Sequence, residues 1–323
     1  MRGLKFCSSA LMAVMIAAPV YAQGWKPTRP VEVVVHTGPG GGSDTLARAV
    51  AQMIEKEKLL PVRMQVVNKT GGNGSVAAAY LAEKKGDVNT IGFFTGVWLT
   101  NPLVAAEAKV ALRDLTTVAR LVLEPAVIAV KADAPFKTLK DFIAYAKSNP
   151  GKINYASVGP GSPNHLGTEL LKSMTGIDLT HIPYKGTAPA MTDLLAGQVS
   201  MLFNSMPTVI PYVKNGRLKG IAVGSAKRSL AMPDIPTVAE SGVPGFDYST
   251  WYAVFGPAAM PRPIITKLNG EIARMLADKD LASRLVVQGA EPSPGTPEHL
   301  GRYMREEQDR WRRVIKSANL KLD

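Results

Sequence analysis

The stretch VEVVVHTGPGGGSDTLARAV, residues 31–50, sets the fold class. Residues 31–36 form a β-branched run without polar alternation, which predicts a strand buried on both faces of a parallel sheet. The run passes through Gly38-Pro39-Gly40-Gly41-Gly42. From about Asp44, Leu46, Val50, Met53 and Ile54 recur at spacings of three and four, predicting a helix with Ser43 or Asp44 as N-cap. The same order repeats downstream. A strand over 62–67 leads to the loop Thr70-Gly71-Gly72-Asn73-Gly74-Ser75 and an Ala-rich helix to about Lys85; a strand over 90–94 ends in Thr95-Gly96-Val97-Trp98. Alternating strand, glycine loop and helix predicts an α/β domain with a mostly parallel sheet.

The pattern restarts after Glu124-Pro125. Residues 126–130 are apolar, a helix is predicted over 138–148, and a short strand over 153–156 runs into a second Gly- and hydroxyl-rich loop, 157–162. A helix from about 164 to 174, a strand over 179–183 and a helix opened by Tyr184-Lys185-Gly186 follow, then strands over 199–203 and 218–223. Residues 228–248 are loop-rich, with a short helical stretch near Val238. A strand over 252–255 and amphipathic helices over 262–277 and 297–318 close the chain. For 323 residues this predicts two α/β domains, 23–124 with 248–323 and 125–247.

Arg2 and Lys5 precede an unbroken run of Ala, Leu, Met, Val, Ile and Pro over 10–20, and Val20-Tyr21-Ala22 presents small residues to a signal peptidase. That pattern predicts a secretory leader cleaved after Ala22 and a periplasmic location; an eleven-residue run spans only about half of a bilayer's hydrocarbon core. Cys7 is the single cysteine and leaves with the leader, so disulfides, thiol catalysis and thiolate metal sites are excluded together. The net charge falls from +12 to +10. It needs no nucleic-acid partner, since the basic residues from Arg302 to Lys316 alternate with Glu306, Glu307 and Asp309 as on a solvated helix face. Trp311 and Val314 there read as core anchors.

The two glycine loops are the candidate sites. Glycine lets the backbone approach a ligand, and free N–H groups at the following helix start attract anions. Gly38 and Gly40 fit a dinucleotide fingerprint, but Ser43 stands where its third glycine belongs. The loop Ser157-Val158-Gly159-Pro160-Gly161-Ser162-Pro163-Asn164-His165 has the same build, with Pro163 suited to a first helical turn. One anion-receptive helix start in each domain suggests a ligand held between them, with a dicarboxylate placing one acidic group on each. Catalytic motifs are thin: no H-E-x-x-H and no G-x-S-x-G occurs. His165 and Glu169 read as a helix-surface pair rather than a metal site. No catalytic residue, metal or cofactor is expected. An exported hydrolase using Ser162 and His165 remains as an alternative.

The motifs resemble the Bug or TctC-type periplasmic solute receptors of tripartite tricarboxylate transporters. The resemblance is carried by Arg29-Pro30, Gly38-Pro39-Gly40-Gly41-Gly42-Ser43-Asp44, Asn101-Pro102, PGKINYAS over 150–157, HIPYKG over 181–186, DLLAGQV over 193–199 and LAMPDIPTVAE over 230–240. It implies a two-domain Venus-flytrap of the type II periplasmic binding class. It also implies a monomer that takes a small carboxylate, aliphatic or aromatic, and delivers it to membrane permease subunits. A receptor that feeds a membrane sensor instead is a second alternative. By the same resemblance, Gly38, Pro39, Gly40, Gly41, Gly42, Ser43 and Asp44 hold one carboxylate, with Thr95 and Trp98 on the loop after the third strand. Ser157, Gly159, Gly161, Ser162, Asn164 and His165 form the second domain's side, with Tyr184, Lys185 and Gly186 on a neighbouring loop. Asn204 stands where many members carry Asp, which removes a negative charge and favours an additional anionic group. A Trp98 turned to the cleft favours an aromatic or extended apolar ligand; turned to the core it says nothing.

Overall fold

The computed structural model describes residues 27–58, 60–103, 110–318 and 320, so the leader expected at 1–22 lies outside the described residues. In the first half of the chain, strands β1 (Val31–Val35), β2 (Met64–Asn68) and β3 (Thr90–Thr95) alternate with helices α1 (Gly42–Lys56), α2 (Ser75–Glu83) and α3 (Val97–Thr100). They lead to the 17-residue strand β4 (Leu115–Lys131). Then come α4 (Leu139–Ser148), β5 (Asn154–Ser157), α5 (Pro163–Thr175), β6 (Thr180–Pro183), α6 (Thr187–Ala196), β7 (Met201–Ser205), α7 (Met206–Lys214) and β8 (Leu218–Val223). The chain ends with β9 (Ser249–Pro257), α8 (Arg262–Leu276), α9 (Lys279–Val287), β10 (Glu291–Pro292) and α10 (Pro297–Ser317).

The class is α/β, as expected, but the sheets are mixed rather than mostly parallel. β2, β1 and β3 pair in parallel, and β9 then joins antiparallel to both β3 and β4. β5 pairs in parallel with β6 and with β7, while β7 and β8 flank β4 antiparallel. The parallel parts carry helices on both faces, so Val31, Val33, Val34 and Val35 are all fully buried and need no polar alternation.

β4 is shared by the two sheets. Its residues 115–125 pair with β9, and from Ala126 onward it pairs with β7 and β8. Pro125, which has no N–H to give a ladder, sits where β4 changes partner, the place in a central strand where a proline costs least. The break read at Glu124-Pro125 is therefore not a loop; the strand runs straight through it. Each sheet has a core on either face. α1, α8 and α9 pack on one face of the first sheet, and α2, α3 and the start of α10 on the other. α4 and α5 cover one face of the second sheet, and α6 and α7 the other. α10 serves both lobes. Leu300 and Met304 are buried beside Trp98 and Phe255, whereas Trp311, Val314 and Ile315 are buried with Phe142, Tyr155 and Tyr248.

Candidate functional site

All the glycine-rich turns follow the carboxyl ends of parallel strands, where ligands bind in open α/β sheets. After β1, Gly40 takes a positive φ of 79° and Gly41, not Ser43 or Asp44, is the N-cap of α1. The helix starts earlier than the sequence suggests because the Ser43 and Asp44 side chains are used elsewhere. Asp44 is buried, and its carboxylate accepts from Gly40 N–H at 2.9 Å, Asn68 Nδ2 at 2.9 Å and the Arg48 guanidinium at 2.9 Å. Those donors, Arg48 first, hold it down at about 2. Asp44 N–H in turn donates to Thr37 Oγ1. Asp44 is thus the clamp that folds the loop. Ser43 Oγ lies 3.1 Å from His36 Nδ1, and His36 Nε2 lies 3.3 Å from Thr95 Oγ1. Burial lowers His36 to about 4, so the ring is neutral and uncharged beneath the loop. What remains at the helix start are the N–H groups of Gly42 and Ser43, which find no acceptor among the described residues. Gly42 itself lies against β9: a Cβ there would collide with Tyr252 Oη.

The loop after β5 is built from the same parts. Gly159 (φ 124°) and Gly161 (φ 69°) take backbone conformations that favour glycine. Ser162 is the N-cap of α5 and Pro163 fills its first turn. Ser162 Oγ donates to Gly159 O at 2.5 Å or to Asn164 Oδ1 at 2.9 Å. Gly161 N–H donates to His165 Nδ1 at 2.9 Å, which places the proton of the neutral ring on Nε2. Burial, with the charge of His181 next, holds His165 at about 4. Its ring stacks on His181 at 4.0 Å, and His181 Nε2 is 2.6 Å from Ser157 Oγ. His165 and Glu169, expected on a helix surface, are both buried; Glu169 accepts from Tyr155 Oη and Lys172 Nζ. Ser162 and His165 do not bond to each other, so they lack the geometry of a nucleophile and its base.

Asn204 closes this side. Its Oδ1 accepts from Asn164 Nδ2 at 3.3 Å and from Ser205 N–H at 2.9 Å, while its Nδ2, buried with the residue only 9% exposed, has no acceptor. An unmatched buried amide donor is costly unless something accepts from it. Gly186 (φ 112°) is the N-cap of α6; Tyr184 Oη is turned away to Asp193 at 2.6 Å, and Lys185 is exposed. Thr95 is buried under His36. Trp98 is corrected: it is 3% exposed, stands edge-on to Phe255 at 5.3 Å and packs with Leu99, Leu115 and Leu300, so its indole belongs to the core of the first lobe, its Nε1 left without a hydrogen-bond partner among the described residues.

Three residues were not singled out from sequence. Glu124, only 8% exposed, sits on β4 one residue before it changes sheets; Ser205, the N-cap of α7, pairs with Ala126 just beyond it, and Tyr252 pairs with Val122 just before it. The legible signal was an acid inside the apolar run LVLEPAVIAV over 121–130. The loop after β2 also belongs here, since Gly74 packs against His36 and Val97. Gly96 and Thr100 of the first lobe line one small cavity with Pro163 and Leu166 of the second, so α3 and the start of α5 lie close together. Among the described residues there is no cluster of three or more metal-ligating side chains and no helix long and apolar enough to cross a membrane.

The family model described as Tripartite tricarboxylate transporter family receptor, TctC, matches residues 46–320. Protein BugT of Bordetella pertussis is 33% identical over 313 residues, covering 95% of this chain and 94% of that protein. Among solved structures, R. palustris Rpa4515 with adipate has a TM-score of 0.82 at 34% identity, over 91% of this chain and 99% of that one. MatC from Rhodopseudomonas palustris with bound malate has a TM-score of 0.76 at 30% identity, over 90% and 99%. The fold is the two-domain Venus-flytrap of periplasmic binding proteins, and this family consists of periplasmic solute-binding receptors rather than enzymes. The chain belongs to the TctC family of tripartite tricarboxylate transporter receptors.

Proposed function

We propose that the chain is exported, cleaved after Ala22, and captures a small dicarboxylate between lobes formed by 23–124 with 248–323 and by 125–247. It then passes the ligand, as a monomer, to the permease subunits of a tripartite tricarboxylate-type transporter. The observation that carries this reading is the set of donors without acceptors at two helix starts: Gly42 and Ser43 N–H on α1, and Asn204 Nδ2 beside the start of α5. One carboxylate at each start satisfies them, and the partial positive charge of each helix terminus favours it. The first loop, 38–44, and Thr95 serve one end of the ligand; Ser157, Gly159, Gly161, Ser162, Asn164 and His165 shape the other, with 184–186 at its margin. Asn204 in place of an acid suits a second anionic group, not an ammonium. A ligand with a linear aliphatic body fits better than an aromatic one, because Trp98 is not available to stack on it, and the relatives solved with adipate and malate support an aliphatic diacid.

A thermal-shift screen of the purified mature chain against mono- and dicarboxylates, amino acids and phosphate tests the reading. Aliphatic dicarboxylates are expected to stabilise, by about 2.7 kcal/mol at a hundredfold excess over Kd. Stabilisation by amino acids or phosphate alone contradicts it.

A further inference from the structure

Glycine gives the loop after β5 its shape but not its fixity: Gly159 and Gly161 take positive φ without strain, and no side chain of their own confines them there. The holding comes from outside the loop. His181, on β6, pairs in register with Tyr155 of β5, and its ring stacks on Tyr155 at 5.0 Å and on His165 at 4.0 Å, the two imidazoles within 8° of parallel. Tyr155 is itself fixed, donating its hydroxyl at 2.7 Å to Glu169, which also accepts from Lys172 Nζ. From this stack two bonds reach the glycine peptides. His181 Nε2 lies 2.6 Å from Ser157 Oγ, and Ser157 Oγ accepts from Gly159 N–H at 3.1 Å. His165 Nδ1 accepts from Gly161 N–H at 2.9 Å. Burial lowers both histidines, so both rings are neutral near pH 7 and His165 Nδ1 is free to accept.

We propose that His181 is a positioning residue for ligand capture: without touching the ligand it sets both glycine peptides of the second anion-receptive loop, Gly159 through Ser157 and Gly161 through His165. The proposal rests on the carboxylate reading of the site. The loop leads directly into α5, whose N-cap Ser162 uses its hydroxyl on Gly159 O and Asn164 Oδ1 and leaves the first helical N–H groups uncapped. Where those groups point is therefore decided by the loop. Asn164 in turn donates to Asn204 Oδ1, which orients the unmatched Asn204 Nδ2. A shift of the loop misaims these donors together, and hydrogen bonds weaken steeply once bent or stretched.

Titration calorimetry of the mature chain with adipate and with malate reads the effect. His181→Phe keeps an aromatic ring in the stack and removes the bond to Ser157; affinity is expected to fall about tenfold, the worth of one buried hydrogen bond. His181→Gln, whose side-chain amide reaches the place of Nε2, is expected to bind within about threefold of the wild type. Adding Ser157→Ala to His181→Phe is expected to cost nothing further, because both changes cut the same bond. In the free chain, the Gly159 and Gly161 amide resonances of His181→Phe are expected to move together. If His181→Phe does not fold, Ser157→Ala carries the test: the Gly161 amide, which is not bonded to Ser157, is expected to shift through the two rings. Unchanged affinity in His181→Phe, equal losses in His181→Phe and His181→Gln, additive losses in the double variant, or an unmoved Gly161 amide overturns the proposal and leaves the receptor reading intact. No heat with either dicarboxylate in the wild type contradicts the receptor reading itself, and the proposal with it.

Discussion

Gly42 shows how narrowly the first helix start is fitted. Its Cα lies under Tyr252 Oη, leaving no room for a methyl group, although its backbone φ is ordinary for any residue. Gly42→Ala is therefore expected to lower stability by about 1–3 kcal/mol through overpacking, and to weaken ligand binding by displacing the N–H it presents. Because the clash is with a single hydroxyl, Tyr252→Phe in the same chain should restore most of the loss. Denaturant melts of both single variants and the double variant check this as a cycle, and strict additivity would contradict the clash. Glu124 carries the other residue-scale expectation. Its carboxyl rises from 4.5 to about 7 on burial, so the native state holds an extra proton between those values. Stability then falls as pH rises from about 4.5 to about 7, by roughly 3 kcal/mol in total, and stays reduced above. Equilibrium unfolding of Glu124→Gln at several pH values should lack that decline.

Elements explain what the sequence made legible and what it hid. The buried β1 run and the glycine loop after it point directly to strand, turn and helix, because β-branched residues without alternation have few other uses. The loop after β5 was legible for the same reason, down to Pro163 in the first turn. α7 was not: it lies unassigned between the strands read over 199–203 and 218–223; Pro207 sits in its first turn, where no N–H partner is needed, and buried Met206, Val209 and Ile210 hold the rest. α9 is nine residues long and depends on the Asp278 cap, whose carboxylate accepts from Leu281 N–H at 2.9 Å. The first half of β4 was missed because Glu124-Pro125 looks like a boundary, and the buried Glu124 went unremarked with it. The orientation of Trp98 could not be read from its position in a loop, because it depends on Phe255, far along the chain. α10, expected in the first lobe alone, places Trp311 in the core of the second at 4% exposure. Trp311→Ala should cost about 3–5 kcal/mol in a melt, where a solvated helix face would cost almost nothing.

The whole molecule joins two similar lobes by one long strand, a return through 224–249 and a helix packed on both. The +10 charge expected of the mature chain assists the approach of an anion, while capture falls to neutral donors at the two helix starts. The most direct test is a crystal structure of the mature chain with adipate. One carboxylate should lie about 3 Å from Gly42 and Ser43 N–H, and the other within the same distance of Asn204 Nδ2. Adipate bound elsewhere, for instance in the groove that Met53, Lys56, Arg274 and Leu285 line between α1, α8 and α9, would contradict the account.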